Sequence, residues 1–482
     1  MTVGLGASIP APWPAAAGDL ERWLRMSLRS SGDVIVIMDD DPTGSQTVSD
    51  VPIVTSADLD DLRWGLIEAD PTLFILTNTR AMGPRAAADT FRRIARSVTV
   101  MAKRVGRQVS IVSRGDSTLR GHFPLETHIL AQLARRPSGH PAPLLLCPAY
   151  PEAGRVTLGG IHYVRTDHGM VPVADTDYAK DPTFGFRSSN LRDWVAERTR
   201  GEWPASQVAV LGLGELRAGG PQEVRRFIAT LAPGAPCVVD AVEVDDVITI
   251  GAGIHELRAQ GQPVDVRCGP TLARCLGGIP ASSPLSPETL ASFLDENTGR
   301  HGLVVVGSHV ALSSRQVENA LHLGGWTQLD LDVTTVLDDR LRAHAINELV
   351  ANGAAALERG DVMICTDRIL KRAPTVSGNV EIASKVASAL VEALTSIITL
   401  GQPRWIVAKG GITSADTVTK VLRMRRAVVA GPLFPGMIPV WAPADGSGPI
   451  CVVFPGNVGT DDSLAQTVSK LRQASSRKRD GR

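Results

Sequence analysis

The sequence predicts an α/β protein with two domains and mostly parallel sheets. Short apolar runs rich in β-branched residues alternate with stretches of helical period along most of its 482 residues, the pattern of repeated strand–helix–strand units. A Gly-, Pro- and Ser-rich stretch at 278–300 interrupts the alternation once, as a connection between domains does. Several apolar runs end in carboxylates or paired glycines, and open parallel sheets bind their ligands at the carboxyl ends of strands.

In chain order, residues 1–32 form an N-terminal extension in which only the segment 20–26 has a helical period, expected as a short amphipathic helix on the first domain. That domain spans 33–277, with strands expected at 34–38, 72–77, 108–113, 143–147, 207–211 and 236–239. Its helices are expected near 56–68, 85–104, 122–134, 189–199, 221–231 and 244–259. After the 278–300 linker a second α/β domain spans 301–474, opening with the strand at Leu303 and continuing with strands at 326–330, 361–365, 404–408, 427–430, 437–441 and 450–454. Helices are expected there near 313–322, 340–358, 381–399, 414–424 and 462–473. Residues 475–482 read as a basic, frayed, solvated tail.

Composition narrows the function classes. Fifty basic and fifty acidic side chains cancel, so net charge argues for neither a nucleic-acid nor a membrane-surface partner. The six cysteines (Cys147, Cys237, Cys268, Cys275, Cys365, Cys451) are scattered, without metal spacing, and are expected as reduced, buried thiols. No protein-ligated metal centre is expected. The N-terminus lacks a signal-peptide pattern, and no apolar run approaches the roughly 18 residues of a membrane span, so a cytoplasmic location is expected.

The chemistry gathers in four stretches. The first apolar run, Val34 to Met38, ends in Asp39-Asp40-Asp41-Pro42-Thr43-Gly44. Three carboxylates at one strand end repel and need a cation, a basic side chain or ligand hydroxyls, although a solvated acidic turn would carry the same residues. The second, Arg114-Gly115-Asp116-Ser117-Thr118-Leu119-Arg120-Gly121, sets Asp116 between two guanidiniums. Such forks grip carboxylate or phosphate while Asp116 accepts from hydroxyls; a loop-bracing ion pair is the plainer alternative. The third runs from Pro148 through Tyr150 and Glu152 to Arg155 and on to His162, a group able to titrate near neutral pH or simply to sit in a core beside Tyr163.

The fourth stretch lies in the second domain, where Lys409-Gly410-Gly411-Ile412-Thr413-Ser414 reads as a strand, a glycine turn and a capped helix. Free N–H groups at such a turn cradle phosphate. Related glycine loops are expected at Gly431 to Gly436, including Pro435, and at Gly456-Asn457-Val458-Gly459. Neither GxxxxGK[ST] nor a GxGxxG after the first strand is present, which disfavours P-loop and ordinary dinucleotide sites.

These motifs, in this order over about residues 33–470, resemble the four-carbon acid sugar kinase family. The resemblance implies an N-terminal acid-sugar domain, a C-terminal ATP domain, an inter-domain cleft, Mg²⁺ as cofactor, and a homodimer. Matched by motif, Asp40, Asp41, Thr43 and Gly44 fall in the sugar-acid pocket beside Arg114, Asp116, Ser117 and Arg120. Asp116 or Asp40 is the implied base, and Arg120 the implied catalytic cation. Ser308, Lys409, Gly410, Gly411, Thr413, Ser414, Gly431, Pro435, Gly436, Gly456, Asn457 and Gly459 fall on the nucleotide side. The sequence departs from the family at Val310, where a second serine is usual, at Ile412, where Glu is frequent, and at Arg114, where Lys is frequent. The expected activity is transfer of the ATP γ-phosphate to a terminal hydroxyl of an acid such as threonate, erythronate or 3-oxo-tetronate. A nicotinamide-dependent sugar-acid dehydrogenase or isomerase and a non-catalytic sensor of sugar acid and nucleotide are the alternatives.

Overall fold

The computed structural model describes residues 11, 13, 17–134, 139–166, 169–308, 310–367 and 376–480; His309, in the Gly307–Ser313 stretch, lies outside them. The chain forms two compact units that divide between Ala281 and Ser282.

The first unit opens with helix α1 (Ala17–Ser31), longer than its sequence period suggested. Leu24 and Leu28 bury its inner face, and its Glu21 carboxylate pairs with the buried Arg274 guanidinium. Then follow β1 (Val34–Asp39), β2 (Val51–Val54), α2 (Leu59–Glu68), β3 (Thr72–Leu76), α3 (Pro84–Val105), β4 (Val109–Arg114), α4 (Leu125–Leu133) and β5 (Leu144–Cys147). An antiparallel sheet of β6 (Arg155–Leu158), β7 (Ile161–Thr166) and β8 (Gly169–Pro172) comes next. The unit ends with α5 (Leu191–Arg198), β9 (Ala209–Leu211), α6 (Leu213–Ala229), β10 (Pro236–Val239), α7 (Val244–Ala259), β11 (Asp265–Cys268) and α8 (Pro270–Leu276). Helix α6 begins eight residues before its expected start and kinks at Gly220, where φ is +60°, before Pro221 restarts it.

The main sheet runs β2-β3-β1-β4-β11-β5-β10-β9, every pair parallel. Strand β1 is buried along its whole length, as a central strand between two helix layers must be. The chain passes from β1 outward to β2 and β3 on one side, then returns to β4 on the other. That reversal makes the carboxyl ends of β1 and β4 a topological switch point, where such sheets leave a crevice.

In the second unit, the stretch expected as a linker is folded. Helix α9 (Pro287–Ser292) starts on a Ser286 cap, and Leu285, Leu290 and Leu294 are buried in the core, because the apolar residues between the prolines have a face to cover. The order continues with β12 (Leu303–Val306), α10 (Ala311–Leu321), β13 (Trp326–Leu331), α11 (Val333–Leu337), α12 (Arg342–Leu357), β14 (Asp361–Thr366), α13 (Val376–Leu400), β15 (Trp405–Lys409) and α14 (Gly411–Asp416). It closes with β16 (Arg426–Phe434), β17 (Met437–Pro443), β18 (Ile450–Phe454) and α15 (Ser463–Asp480). The sheet order is β13-β14-β12-β15-β18-β17-β16, parallel through β18 and antiparallel over the last three strands. Alternate residues of β12 feed opposite cores: Val304 and Val306 pack on one side, Leu303 and Val305 on the other.

Three expectations need correction here. The tail is not frayed before residue 480, because α15 continues through it, with Ser475 buried and Arg477 paired to Glu288. Gly431 lies inside β16 at a bulge, with φ at +146°, and not in a loop; only Pro435 and Gly436 make the turn into β17. Within α13, Glu381–Leu400 is long and apolar enough by composition to cross a membrane, yet Ala389, Leu390, Ala393, Leu394 and Ile397 are buried in the second core.

Candidate functional site

The acidic end of β1 folds inward. Asp39, Asp40 and Asp41 keep 0%, 1% and 5% of their surface exposed. Asp41 caps the short 3₁₀ turn Pro42–Thr47, its carboxylate accepting from the Thr43 amide at 2.8 Å. Gly44 is required by contact: a Cβ there would lie 2.1 Å from an Asp39 carboxylate oxygen.

Parallel pairing sets Arg114, the last residue of β4, beside Asp39, and its Nη1 donates to Asp39 at 2.9 Å and Asp40 at 3.3 Å. Arg80, just beyond β3, pairs with Asp41 and reaches Asp116 Oδ1 at 3.5 Å. Arg120 Nε donates to Asp116 Oδ2 at 2.7 Å, its guanidinium lies over the Tyr178 ring, and Asp181 stands 3.7 Å away. Behind the Gly115–Gly121 loop, Glu126 accepts from Thr79 at 2.6 Å and from Arg267 at 2.7 Å. Arg267 and Asp40 support that loop closely: a Cβ on Gly115 would lie 2.4 Å from Arg267, and one on Gly121 2.7 Å from Asp40 Oδ2.

Charge divides these carboxyls into two kinds. Burial pushes Asp39 up to about 6 and Asp40 up to about 7, with the neighbouring guanidiniums only partly offsetting it. One oxygen of each, Oδ2, has no hydrogen-bond partner. For Asp41 and Asp116 burial also opposes ionisation. Arg80 and Thr43 outweigh it at Asp41, and Arg120 and Arg80 at Asp116, so both sit below the usual carboxylate range. The structure thus gathers all the first-unit candidates: Asp40, Asp41, Thr43, Gly44, Arg114, Asp116, Ser117 and Arg120. Sequence reasoning missed Arg80, Glu126, Tyr178, Asp181 and Arg267, which sit singly outside the motifs; for Arg80 the only signal was its place just after a buried strand.

The third stretch braces this centre. Tyr150 is buried, Glu152 accepts from Thr271 at 2.5 Å, and Arg155 donates to the Tyr178 hydroxyl at 3.3 Å. His162 is fully buried, with Nδ1 2.9 Å from the Thr157 hydroxyl and Nε2 2.8 Å from the Ser117 carbonyl. Burial lowers it to about 4, so the ring is neutral, donates to Ser117 and accepts from Thr157. One nitrogen holds the loop and the other is paired to β6, which leaves none for acid–base exchange.

In the second unit the carboxyl ends of β12, β15 and β18 converge. Gly307 N donates to the Lys409 carbonyl and Gly410 N to that of Phe454. Ser313 Oγ bridges Ser308 Oγ at 2.9 Å and the Gly456 carbonyl at 3.0 Å. Gly410 has φ +121°, and a Cβ on Gly456 would stand 2.6 Å from Ser308 Oγ. Ser414 Oγ donates to the Ala408 carbonyl, a Cβ on Gly307 would strike Thr413 Oγ1, and Gly459 turns the chain towards Ser463 with φ +88°. Ser308, Gly410, Gly411, Thr413, Ser414, Gly456, Asn457 and Gly459 thus belong to one loop cluster, and Pro435 and Gly436 turn at the same edge of the sheet. Lys409 differs from expectation: it is fully buried, its Nζ donating to the Pro455 carbonyl and lying over the Phe454 ring, so it pins the bend after β18. Val310 and Ile412, the second-unit departures from the family pattern, are both exposed.

Comparison with known proteins agrees with this division. Residues 35–276 match the model of a sugar-binding N-terminal domain, and residues 303–464 that of a nucleotide-binding C-terminal domain. A D-threonate kinase of Bordetella bronchiseptica is 28% identical over 454 residues, 92% of this chain and 98% of the relative. A D-threonate kinase of Salmonella typhimurium is 29% identical over 224 residues, 46% of each chain. Among solved structures, a Salmonella typhimurium LT2 protein superposes with a TM-score of 0.65 at 19% identity, covering 90% of this chain and 98% of its own. A Haemophilus influenzae protein gives 0.59 at 16% identity, covering 90% and 100%. These two establish the fold. With both domain models matched in order, and the sugar-binding one alone spanning half of the chain, this protein belongs to the four-carbon acid sugar kinase family.

Proposed function

We propose that the chain is a kinase that uses ATP and Mg²⁺ to phosphorylate a terminal hydroxyl of a small acid sugar of about four carbons, threonate being the first candidate. The observation that carries this reading is the Arg80–Asp116–Arg120 group, which keeps 17%, 11% and 23% of its side-chain surface open beside the sealed Asp39, Asp40 and Arg114. Guanidiniums suit the acid's carboxylate, while Asp41, Thr43 and Ser117 offer partners for its hydroxyls.

Phosphoryl transfer depends on positioning and charge neutralisation more than on covalent help. The turns at Gly410, Gly411 and Gly456, with the Ser308 and Thr413 hydroxyls, are the groups assigned to the phosphates of ATP, although the Gly410 amide itself is spent on the Phe454 carbonyl. Mg²⁺ neutralises charge on those phosphates and keeps most of its own water, so it needs few protein ligands. Asp116 is the group that accepts the hydroxyl proton. Accessibility favours Asp116 over Asp40: Asp40 is 1% exposed and lies beneath Gly121, whereas Asp116 keeps 11% of its side-chain surface exposed.

The experiment is ADP release from ATP and Mg²⁺ with D-threonate, D-erythronate, 3-oxo-tetronate and related five-carbon acids. Release that requires one of them is expected. Binding of an acid and of ATP, with no ADP formed from any combination, would remove the kinase reading.

A further inference from the structure

Arg80 lies outside every motif in the sequence, yet it joins two of them, pairing with Asp41 of the first and reaching Asp116 of the second. In the ligand-free chain Asp116 faces both guanidiniums. Its Oδ2 takes Arg120 Nε at 2.7 Å and the Thr118 hydroxyl, and its Oδ1 faces Arg80 at 3.5 Å. Oδ2 is thus taken up, while Oδ1 makes no hydrogen bond among the described residues but is turned to a guanidinium. The open rim of the site is thus two guanidiniums bridged by one of the protein's own carboxylates, with Asp181 on the far side of Arg120 at 3.7 Å. Asp116 uses only Nε of Arg120 and one nitrogen of Arg80, so both guanidiniums have the donors to pair with another carboxylate, and a sugar acid brings one.

Resting on the kinase reading, we propose that Asp116 is an internal stand-in for the substrate's carboxylate: it occupies Arg80 and Arg120 in the free protein and is displaced from them when the acid binds. Arg80 then becomes a catalytic residue that touches substrate, and Asp116 turns to the acceptor hydroxyl only once its place is taken. In the transfer step the hydroxyl proton passes to Asp116, the bond from that oxygen to the γ-phosphorus forms, and the bond from the γ-phosphorus to the bridging oxygen of ADP breaks. Without the acid, Asp116 stays turned to the two guanidiniums, and a water in the acceptor position meets a weaker base. The exchange thereby couples ATP use to occupancy by the correct anion. A merely bracing Arg80–Asp116–Arg120 chain would behave oppositely, because neutralising Asp116 would then loosen the site.

The test is calorimetric titration of the whole chain with D-threonate, D-erythronate and 3-oxo-tetronate in the absence of ATP, comparing wild type with Asp116→Asn. Removing a competing carboxylate from a partly exposed pair is expected to tighten the best-bound acid by about tenfold. Unchanged or weaker binding overturns the proposal, as does the absence of binding by either protein. The second arm is Arg80→Gln combined with Asp41→Asn, which avoids leaving Asp41 buried and unpaired. With Asp116 half released, acid-independent ADP release should rise a few-fold and stimulation by the acid should fall; where the wild type forms ADP with the acid, acid-independent release that stays at the wild-type level overturns the proposal. The readouts separate the two ideas: if the acids bind and Asp116→Asn tightens them while no ADP is formed, the exchange stands and the kinase reading fails.

Discussion

Replacing Asp40 with Asn tests whether the sealed part of the site carries a titrating carboxyl. Burial raises Asp40 from 3.8 to about 7 in the folded chain, against the attraction of Arg80, Arg114 and Arg267 and with help from Glu126. A carboxyl whose folded value lies above its unfolded value holds a proton that the unfolded chain has already released. Stability from this group is therefore present at low pH, declines as pH rises through the interval from about 4 to about 7, and is gone above it. Between pH 5 and pH 8 the change is about two units, or about 3 kcal/mol as an upper figure, and about 2 kcal/mol after relaxation around the charge. Asn at position 40 cannot ionise. The Asn variant loses part of the Arg114 contact at every pH, so the informative quantity is how its stability relative to wild type changes with pH. We expect that difference to move in favour of Asp40→Asn by about 2 kcal/mol from pH 5 to pH 8, a shift of about 4–8 °C in relative unfolding midpoint for a unit of this size. Asp41 and Asp116, held low, act below about pH 4, outside the interval. His162, lowered to about 4, behaves alike in both proteins and cancels in the comparison, whereas Asp39, raised to about 6, shares Arg114 with Asp40 and is part of the same buried titration. Melting curves of the two proteins at half-unit steps from pH 5 to pH 8 decide the matter, and parallel curves would refute the buried titration.

Two further outcomes follow from contacts already described. Gly456→Ala places a methyl 2.6 Å from Ser308 Oγ and should break its bond to Ser313; ATP binding should weaken about tenfold while titration with the acid stays as in wild type, and equal ATP binding would remove this turn from the nucleotide site. His162→Gln removes a base whose folded value lies below the unfolded 6.5, so the wild-type stability lost as pH falls from about 6.5 towards 4 should no longer be lost in the variant. The same change deprives the Ser117 carbonyl of a rigid donor, and the acid-dependent turnover should drop at pH 7.5, where His162 is neutral and no protonation effect intervenes; unaltered turnover there would restrict His162 to stability.

Much of the fold was legible because central parallel strands are buried on both faces. Val34 to Met38, Leu303 to Val306 and Ile450 to Phe454 are continuous apolar runs, and nothing else of that length and β-branching fits between turn signals. Elements that depend on tertiary support escaped. Strand β2 contains Pro52 and is four residues long; β11, Asp265–Cys268, carries Asp and Arg that look like loop residues. Arg267 is buried there because Glu126 and Ser113 accept from it, a compensation invisible to local pattern. The β6–β8 sheet was hidden for a related reason: glycines and prolines around it read as loop punctuation, although Gly154, Gly159 and Gly160 all take positive φ to make its turns.

The site was legible where one strand end supplied several groups and illegible where a single residue supplied one. Asp39–Gly44 and Arg114–Gly121 each announce themselves by dense charge after an apolar run, and parallel pairing of β1 with β4 then forces Asp39 and Arg114 together. Arg80, Glu126 and Arg267 carry no such density, yet they set the balance between the carboxyls. Five of these carboxylates, Asp39, Asp40, Asp41, Asp116 and Glu126, face four guanidiniums, Arg80, Arg114, Arg120 and Arg267. An excess of one negative charge in so small a buried volume favours a retained proton, and the two unpartnered oxygens place it on Asp39 or Asp40. On the proposed reading, the sealed pair absorbs charge when an anionic acid arrives, whereas the partly exposed Asp116, held low by Arg120 and Arg80, stays ionised. Sequence alone offered Asp40 and Asp116 as equivalent candidates for the base. Burial separates them, because the carboxyl beneath Gly121 is suited to storing a proton and the one gripped by Arg80 and Arg120 to receiving it from substrate.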